Sequence, residues 1–246
     1  SQMPILKEIL EAMNIKIIEK EGFEADDVLG TLAKWGEGNK LDVTILTGDK
    51  DSFQLISKNI TVRIPRTKMG KTETESYTIE KILEEYKLEP KDLIEVKALM
   101  GDSSDNIPGI PGVGEKTALS LIQEYKTLDN VYENIEKITG KLKEKLVENK
   151  ELAYLSRKLG TIDIDSPIEK NLEEMEMPKW DEEKVLEIFK RLKFSRYIDK
   201  FKLNSKPEEN KSDIKIEYEE LNSKEKINKI TEKIKQNKIM YYYIEY

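Results

Sequence analysis

The pattern that most constrains the fold is a strand, a helix and a second strand that follow one another early in the chain. Ile15–Glu19, with isoleucine at three of its five positions, is typical of a short strand. From Glu24 to Gly38, apolar residues recur at the spacing of an amphipathic helix. Asp42–Thr47 is a β-branched run that ends at a glycine and indicates a buried strand. A strand–helix–strand unit of this spacing favours an α/β fold with a parallel sheet.

The later part of the chain is predicted to be mainly helical. An amphipathic helix is also expected at Met3–Met13, before the first strand. The other predicted elements are a strand at Ile60–Ile64, a turn-rich loop at Pro65–Lys71, helices at Ile79–Tyr86 and Lys91–Met100, a Gly/Pro-rich loop at Gly101–Gly114, a helix up to Tyr125, mostly helical chain up to Arg157, and helical periodicity at Phe189–Lys202.

The chain contains neither histidine nor cysteine. This excludes a Ser-His-Asp or Cys-His nucleophile, a thiolate zinc site and an imidazole general base. If the chain is an enzyme, its chemistry depends on carboxylates, lysines, hydroxyls or hard metal ions such as Mg²⁺ or Mn²⁺ held by oxygen ligands. Because no apolar run approaches the length of a membrane span, we expect a soluble, intracellular protein with no membrane partner.

Carboxylates occur in three clusters, and two of these follow predicted strands. Taken singly, the first cluster is explained as helix capping and the second as an Asp-rich turn with a helix N-cap. Open α/β sheets bind ligands at the carboxyl ends of their strands, and a divalent metal ion holds many carboxylates together. The three clusters together therefore predict a metal site. They are Glu24, Asp26 and Asp27; Asp49 and Asp51; and Asp102 and Asp105.

A glycine-rich turn precedes the helix that ends at Tyr125. Gly112 and Gly114 let the backbone approach an anion, and the helix that follows presents free N–H groups to a phosphate. Lys116 and Thr117 add a charge and a hydroxyl at the same edge. The pattern is typical of a helix-hairpin-helix that contacts a nucleic-acid backbone regardless of sequence, and the alternative is a plain helix–helix turn. Its spacing differs from that of a nucleotide-triphosphate loop.

Three segments, in this order, resemble the 5′-nuclease domains of bacterial DNA polymerase I, which are related to flap endonucleases and phage 5′-exonucleases. The segments are EADDVLGTLA, VTILTGDKDSFQLI and MGDSSDNIPGIPGVGEKTALSLI. The resemblance implies an α/β core like that of PIN-type nucleases, with a helical extension that carries a helix-three-turn-helix. It also implies cleavage of 5′ flaps and 5′ ends of duplex DNA by two divalent metal ions.

The same resemblance assigns roles to individual residues. All seven carboxylates of the three clusters match metal ligands of the family, and those expected to be catalytic are Asp27, Asp49 and Asp51. The residues that match the duplex-binding turn are Gly112, Gly114, Lys116 and Thr117. At this turn the family also coordinates a K⁺ ion through backbone carbonyls. Gln54 belongs to the same signature, and for it we expect only a packing role.

The resemblance also predicts four parts of the chain. We expect a partial PIN-like α/β nuclease core in residues 1–78, a helical DNA-binding extension in 79–203, a polar linker in 204–213 and the start of a 3′-5′ exonuclease-like domain in 214–246. In the family, an earlier strand supplies the first metal-binding Asp, and a basic helical arch clamps the 5′ strand. The sequence begins after both, so we expect an N-terminally truncated chain. The last part lacks the Asp of a proofreading Asp-x-Glu pair.

Basic residues are concentrated between Ser57 and Thr72, a stretch without any acid. Within it we expect Arg66, Lys68 and Lys71 to contact DNA. Phe189–Lys202 holds six Lys and Arg residues against Asp199 alone. Because its aromatic residues indicate a buried side, a solvated helix face is favoured slightly over DNA contact there.

These features lead to one main hypothesis and two alternatives. The main hypothesis is a structure-specific 5′-nuclease of a DNA polymerase I, in which metal-activated water hydrolyses phosphodiesters during primer removal and repair. The first alternative is a catalytically impaired fragment that only binds duplex DNA. The second is a PIN-like RNase, which fits the carboxylates but explains the duplex-binding turn poorly. We expect a cytoplasmic, nucleoid-associated monomer that is joined to polymerase domains in a longer chain.

Overall fold

The amphipathic stretches at the start of the chain form helices in the computed structural model, which describes residues 2–68, 71–176, 179–203, 223, 224, 228, 231 and 232. These two helices are α1 (Met3–Ala12) and α2 (Ala25–Gly38). The chain divides into two compact units, Ser1–Asp181 and Glu182–Tyr246. The predicted linker, and almost all of the region predicted to follow it, lie outside the described residues.

The predicted strand at Ile15–Glu19 is wrong. In the described part of the chain this segment pairs with no strand, and it connects α1 to α2 as irregular backbone. Its apolar residues Ile15, Ile17 and Ile18 are only half-buried. Strand propensity reflects packing on a paired, partly buried sheet surface, and this segment lacks such a surface.

The sheet has three strands in the order β1 (Val43–Leu46), β2 (Ile60–Lys68) and β3 (Lys71–Tyr77). β1 and β2 are parallel, as the strand–helix–strand pattern predicted, whereas β3 runs antiparallel to β2. The loop predicted at Pro65–Lys71 is therefore wrong, because β2 continues through Pro65 and a third strand follows. Pairing with β1 ends at Arg63, so Pro65 has a neighbouring strand on one side only, where proline is tolerated.

The other regular elements described in the first unit are helices. Its helices are α3 (Ile79–Tyr86), α4 (Leu93–Met100), α5 (Glu115–Tyr125), α6 (Leu128–Glu133), α7 (Gly140–Glu148) and α8 (Lys150–Gly160). Short 3₁₀ helices lie at Lys50–Leu55, Pro90–Asp92, Ile135–Lys137 and Glu173–Met175. One hydrophobic cluster forms around the sheet, with Phe53 and Tyr77, and a second lies among the helices, with Leu99 and Ile122. The 3₁₀ helix Lys50–Leu55 contributes to the first cluster and α4 to the second, and each carries or precedes carboxylates described below.

The described part of the second unit contains α9 (Glu182–Arg191) and α10 (Ser195–Lys200). The periodic stretch Phe189–Lys202 is thus divided between two helices, because Lys193 adopts a left-handed conformation with φ 57°. Phe189 is buried, and the rings of Phe194, Tyr197 and Phe201 lie around it. Those three outer rings stay between 37 and 48% exposed, so the aromatic side is only partly buried.

Candidate metal centre and nucleic-acid interface

The carboxylates after β1 are positioned by a capped turn. The Asp49 carboxylate accepts a hydrogen bond of 2.9 Å from the Asp51 backbone N–H and caps the 3₁₀ helix Lys50–Leu55. The Thr47 hydroxyl accepts one of 3.0 Å from the Asp49 N–H. This turn leaves Asp49 exposed and Asp51 half-buried at the carboxyl end of β1. The capping alternative therefore describes Asp49 correctly and still leaves both carboxylates at the edge where α/β sheets bind ligands.

The carboxylates at the start of α2 differ in what they contact. Glu24 and Asp27 form a capping box at the helix N-terminus, which confirms the helix capping predicted for this cluster. The second oxygen of Asp27 accepts a hydrogen bond of 2.9 Å from the Asp163 N–H. Asp26 is different: burial, followed by the charges of Asp49 and Asp51, raises its pKa above the ordinary range. A cation beside Asp26 would favour the ionised carboxylate and so oppose this shift.

The third pair is held in a tight turn after α4. Backbone hydrogen bonds in both directions join Asp102 and Ile107, and the Ser104 N–H donates a bond of 2.9 Å to the Asp102 carboxylate. The Ser104 hydroxyl donates to the same oxygen. These bonds to Ser104, with help from Lys97, outweigh burial and hold the pKa of Asp102 at about 2. Asp102 is therefore ionised, as a ligand of a hard metal ion must be.

Lys97, which the sequence analysis missed, joins two of the clusters. It lies on α4 and is 6% exposed, and its ammonium contacts Asp51, Asp102 at 3.0 Å and Asp105 at 2.9 Å. Burial alone would lower the pKa of Lys97, but the hydrogen bonds to these carboxylates reverse the effect and raise it. For Asp51 burial prevails over Lys97, and its pKa is raised. The sequence signal was a lysine within Val96–Met100, whose other four residues are apolar.

The fold brings the three clusters together. A cleft of about 240 Å³ is lined by six of the seven predicted carboxylates, namely Glu24, Asp26, Asp27, Asp49, Asp51 and Asp105. The seventh, Asp102, lies beside Asp51 and Asp105, and ligand oxygens of these three residues are within 4.8 Å of one another. A cation already sits among them in the form of the Lys97 ammonium. This oxygen-only donor set fits a hard divalent ion such as Mg²⁺ or Mn²⁺.

Gln54 does more than pack beside the cleft. Its amide nitrogen donates a hydrogen bond of 3.0 Å to the Gly160 carbonyl, and its amide oxygen accepts one of 3.1 Å from the Ile162 N–H. Both partners belong to the wall of the cleft. Gln54 therefore ties the segment after β1 to the end of α8.

The glycine-rich turn is anchored at one end and open at the other. At its buried end, the Gly109 N–H donates a bond of 2.9 Å to the Ser156 hydroxyl, and the Ile110 N–H donates one of 2.8 Å to the Leu99 carbonyl. At its open end, Gly112 has φ 75° and is exposed, as is Gly114. The turn therefore presents accessible backbone directly before the N-terminus of α5.

The first turn of α5 contains the acidic Glu115 as well as the two residues that were predicted to contact a phosphate. Lys116 is exposed and Thr117 is half-buried, both within the first turn of the helix. From α7, the Lys145 ammonium donates a hydrogen bond of 3.1 Å to the Gly112 carbonyl and adds a second positive charge. The expected K⁺ ion stays a prediction, and Lys145 is the cation that this structure has at one of the turn carbonyls.

The three basic residues that were predicted to contact DNA lie on the hairpin formed by β2 and β3. The Arg66 guanidinium forms an ion pair of 2.8 Å with Glu75 and donates a hydrogen bond to the Tyr77 hydroxyl, so it is engaged within the sheet. Lys68 and Lys71 pair at the end of the hairpin, and their side chains lie outside the described residues. Among the helices that the structure describes, none has both the length and the apolar character needed to cross a membrane.

Two adjoining domain models match the chain. The model of the "5′-3′ exonuclease, N-terminal resolvase-like domain" matches residues 1–87, and that of the "5′-3′ exonuclease, C-terminal SAM fold" matches residues 88–183. Among curated proteins, DNA polymerase I of Caldicellulosiruptor bescii is 43% identical over 82% of this chain and 24% of its own length. DNA polymerase I of Bacillus subtilis is 45% identical over 81% of this chain and 22% of its own length. The chain thus spans about a quarter of these relatives.

Solved structures support the fold. The catalytic core of Rad2 in complex with a DNA substrate aligns with a TM-score of 0.53 and 21% identity, over 77% of this chain and 62% of that one. T5 5′-exonuclease with bound zinc aligns with a TM-score of 0.50 and 23% identity, over 59% of this chain and 52% of that one. Together with the domain models, these similarities confirm the predicted α/β nuclease-type core with a helical extension.

Proposed function

Because the chain belongs to the 5′-3′ exonuclease family, we propose that it is a metal-dependent 5′-nuclease that hydrolyses phosphodiesters at the 5′ ends and 5′ flaps of duplex DNA, in primer removal and repair. The observation that carries the proposal is the convergence of seven carboxylates from three segments on one cleft and its edge. Such a concentration of negative charge repels a phosphate unless cations neutralise it. The polymerase domains of the curated relatives suggest a covalent partner in a longer chain.

The proposed mechanism gives the carboxylates the task of holding two ions. Asp51, Asp102 and Asp105 would hold one, while Asp26, Asp49 and Glu24 are available for the other. A bound divalent ion would lower the pKa of its water and stabilise the negative charge that develops on the phosphate. Asp27 also orients the site, because its two oxygens accept hydrogen bonds from the backbone N–H groups of Glu24 and Asp163. The site therefore needs neither histidine nor cysteine.

The glycine-rich turn is proposed to bind the duplex away from the cleft. Open backbone at Gly112 and Gly114, the N-terminus of α5, Lys116 and Thr117 would contact phosphates regardless of base sequence. Lys68 and Lys71, which were predicted from the sequence to contact DNA, are proposed as further phosphate contacts. Arg66 contributes less directly, since it must leave Glu75 to reach a phosphate.

A second candidate function is duplex binding without cleavage. It is favoured by the anchoring of the glycine-rich turn through Ser156 and Leu99, which involves none of the carboxylates. Binding can therefore persist when the cleft cannot complete a metal site. A PIN-like RNase that cleaves single-stranded RNA, the second alternative from the sequence, would give the glycine-rich turn no function in binding.

The proposal is tested by incubating the 246-residue chain with a labelled 5′-flap DNA and Mn²⁺. We expect cleavage at the flap that EDTA abolishes, because the carboxylates repel the phosphate without cations. Retention of the flap without cutting would favour the second candidate. Preferential competition by single-stranded RNA over duplex DNA would contradict both DNA functions.

Exchanging Lys116 for glutamine is expected to weaken duplex binding without changing preference among base sequences. One lost phosphate contact should make the slope of log affinity against log salt shallower by about one. Lys40→Gln is the matched control, since Lys40 is an exposed lysine just beyond the C-terminal end of α2, the helix whose other end carries Asp26. Fluorescence anisotropy over a range of salt concentrations measures both slopes. Equal slopes for the two variants would show that Lys116 does not contact DNA phosphates.

A further inference from the structure

We propose that Lys97 is a resident counter-ion of the metal site, which keeps its carboxylates assembled without metal and competes with the divalent ion for them. The inference rests on the proposed function in one respect, namely that the same carboxylates bind metal. It adds a role for a lysine that limits the affinity of the site. Lys97 would thus be a positioning residue rather than a catalytic one.

The contacts of Lys97 are the first support. Its ammonium lies within hydrogen-bond distance of Asp51, Asp102 and Asp105, which are the same three residues whose oxygens are close enough to share one ion. An ion placed between these oxygens would lie beside the ammonium. Like charges repel at that separation, so the ion must displace Lys97 from at least one carboxylate.

The burial of Lys97 is the second support. Only 7% of its side chain is exposed, whereas the side chains of Asp51, Asp102 and Asp105 are between 25 and 46% exposed. The stem also packs against the end of α8, where a Cβ on Gly160 would lie 3.3 Å from Lys97 Cδ. Lys97 therefore cannot swing freely into water when an ion arrives. Its charge stays near the site and opposes the ion.

The third support is the origin of the carboxylates. Asp51 belongs to the 3₁₀ helix after β1, while Asp102 and Asp105 belong to the turn after α4, about fifty residues further along. Without a cation, three neighbouring carboxylates would repel one another and separate these two segments. Lys97 is the cation that joins them in this structure. The same charge that stabilises the metal-free fold must weaken metal binding.

The test uses Lys97→Met in the whole chain, because methionine keeps an unbranched apolar stem and removes the charge. Mn²⁺ binding is measured without DNA by calorimetry and by the electron paramagnetic resonance of free Mn²⁺. We expect Mn²⁺ to bind at least about tenfold more tightly to the variant. Thermal unfolding in EDTA should occur at a lower temperature than in the unchanged chain, and saturating Mn²⁺ should narrow the difference.

Lys81→Met is the matched control. Lys81 pairs with Glu75 and lies over the Tyr77 ring, away from the predicted metal ligands. Its removal should leave Mn²⁺ affinity unchanged. Lys97→Gln, which keeps a polar end without a charge, gives a second variant with the same expected tightening. If neither Lys97 variant folds in EDTA, recovery of the fold by Mn²⁺ supports the proposal, and failure to recover overturns it.

The remaining outcomes separate the inference from the proposed function. If the unchanged chain binds Mn²⁺ and Lys97→Met binds it equally or more weakly, Lys97 is not a competing counter-ion, and the nuclease proposal stands. If the unchanged chain binds no Mn²⁺, the proposed metal site itself is overturned. A purely structural lysine would lower the unfolding temperature by the same amount with and without Mn²⁺, which also contradicts the inference.

Discussion

Replacing Asp51 with asparagine is expected to reduce Mn²⁺-dependent cleavage of a 5′-flap DNA by at least about 100-fold, equivalent to about 2.7 kcal/mol. Asp51 lines the cleft with Asp26 and Asp49 and also contacts Lys97 beside Asp102. It therefore lies between the two groups of proposed ligands, and its negative charge would attract both ions. Asparagine keeps the shape of the side chain but removes that charge.

The fold should tolerate the Asp51→Asn change. Lys97 retains Asp102 and Asp105 as partners, and the backbone N–H of residue 51 still donates its hydrogen bond to the Asp49 carboxylate. We therefore expect duplex binding and the urea midpoint to change little while cleavage is lost. Single-turnover kinetics and anisotropy on the same preparation measure the two effects separately.

Asp42→Asn is the matched control for this substitution. Asp42 directly precedes β1, at the opposite end of the strand from Asp49, and accepts a hydrogen bond from Asn59 at the surface. It should leave cleavage within about twofold of the unchanged chain, since ordinary surface substitutions have small effects. Undiminished Mn²⁺-dependent cleavage by Asp51→Asn would show that the site assignment is wrong.

Gly109→Ala is expected to destabilise the first unit by about 3 kcal/mol or more. Gly109 has φ 58°, a left-handed conformation that favours glycine. A Cβ at this position would lie 2.6 Å from Gly101 Cα and closer still to the Gly101 nitrogen. Because these atoms are backbone, relief requires the turn to separate from the end of α4. Duplex binding should fall with the same substitution, since the open end of the turn depends on this anchor.

Urea unfolding and duplex anisotropy measure the two consequences of Gly109→Ala. Gly38→Ala is the control, because a Cβ at Gly38 would meet no atom within 4 Å and φ there is not positive. It should be neutral or stabilise the chain by up to about 1 kcal/mol. A Gly109→Ala chain as stable as Gly38→Ala would mean that the two glycine backbones do not pack closely in solution.

Much of the fold was predictable because its elements have local signals. Apolar periodicity identified α2 to within a residue at its start, and the β-branched run identified β1. The antiparallel partner of β2 was missed because Lys71–Tyr77 is almost entirely polar and offers no alternation to detect. Ile15–Glu19 shows the converse: a strand-like composition forms no strand when the segment has no paired neighbour in the described chain.

The sequence by itself determined the chemical inventory of the site. It established a chain without histidine or cysteine, three carboxylate clusters and a glycine-rich turn before a helix, because these depend only on residue types and local spacing. Only the tertiary structure decided that both oxygens of Asp27 accept hydrogen bonds from backbone N–H groups and that Lys97 lies among Asp51, Asp102 and Asp105. Such contacts join residues far apart in the chain through the packing of α4 against the segment after β1. No local pattern records that packing, since burial and charge pairing at these positions arise only when distant segments meet.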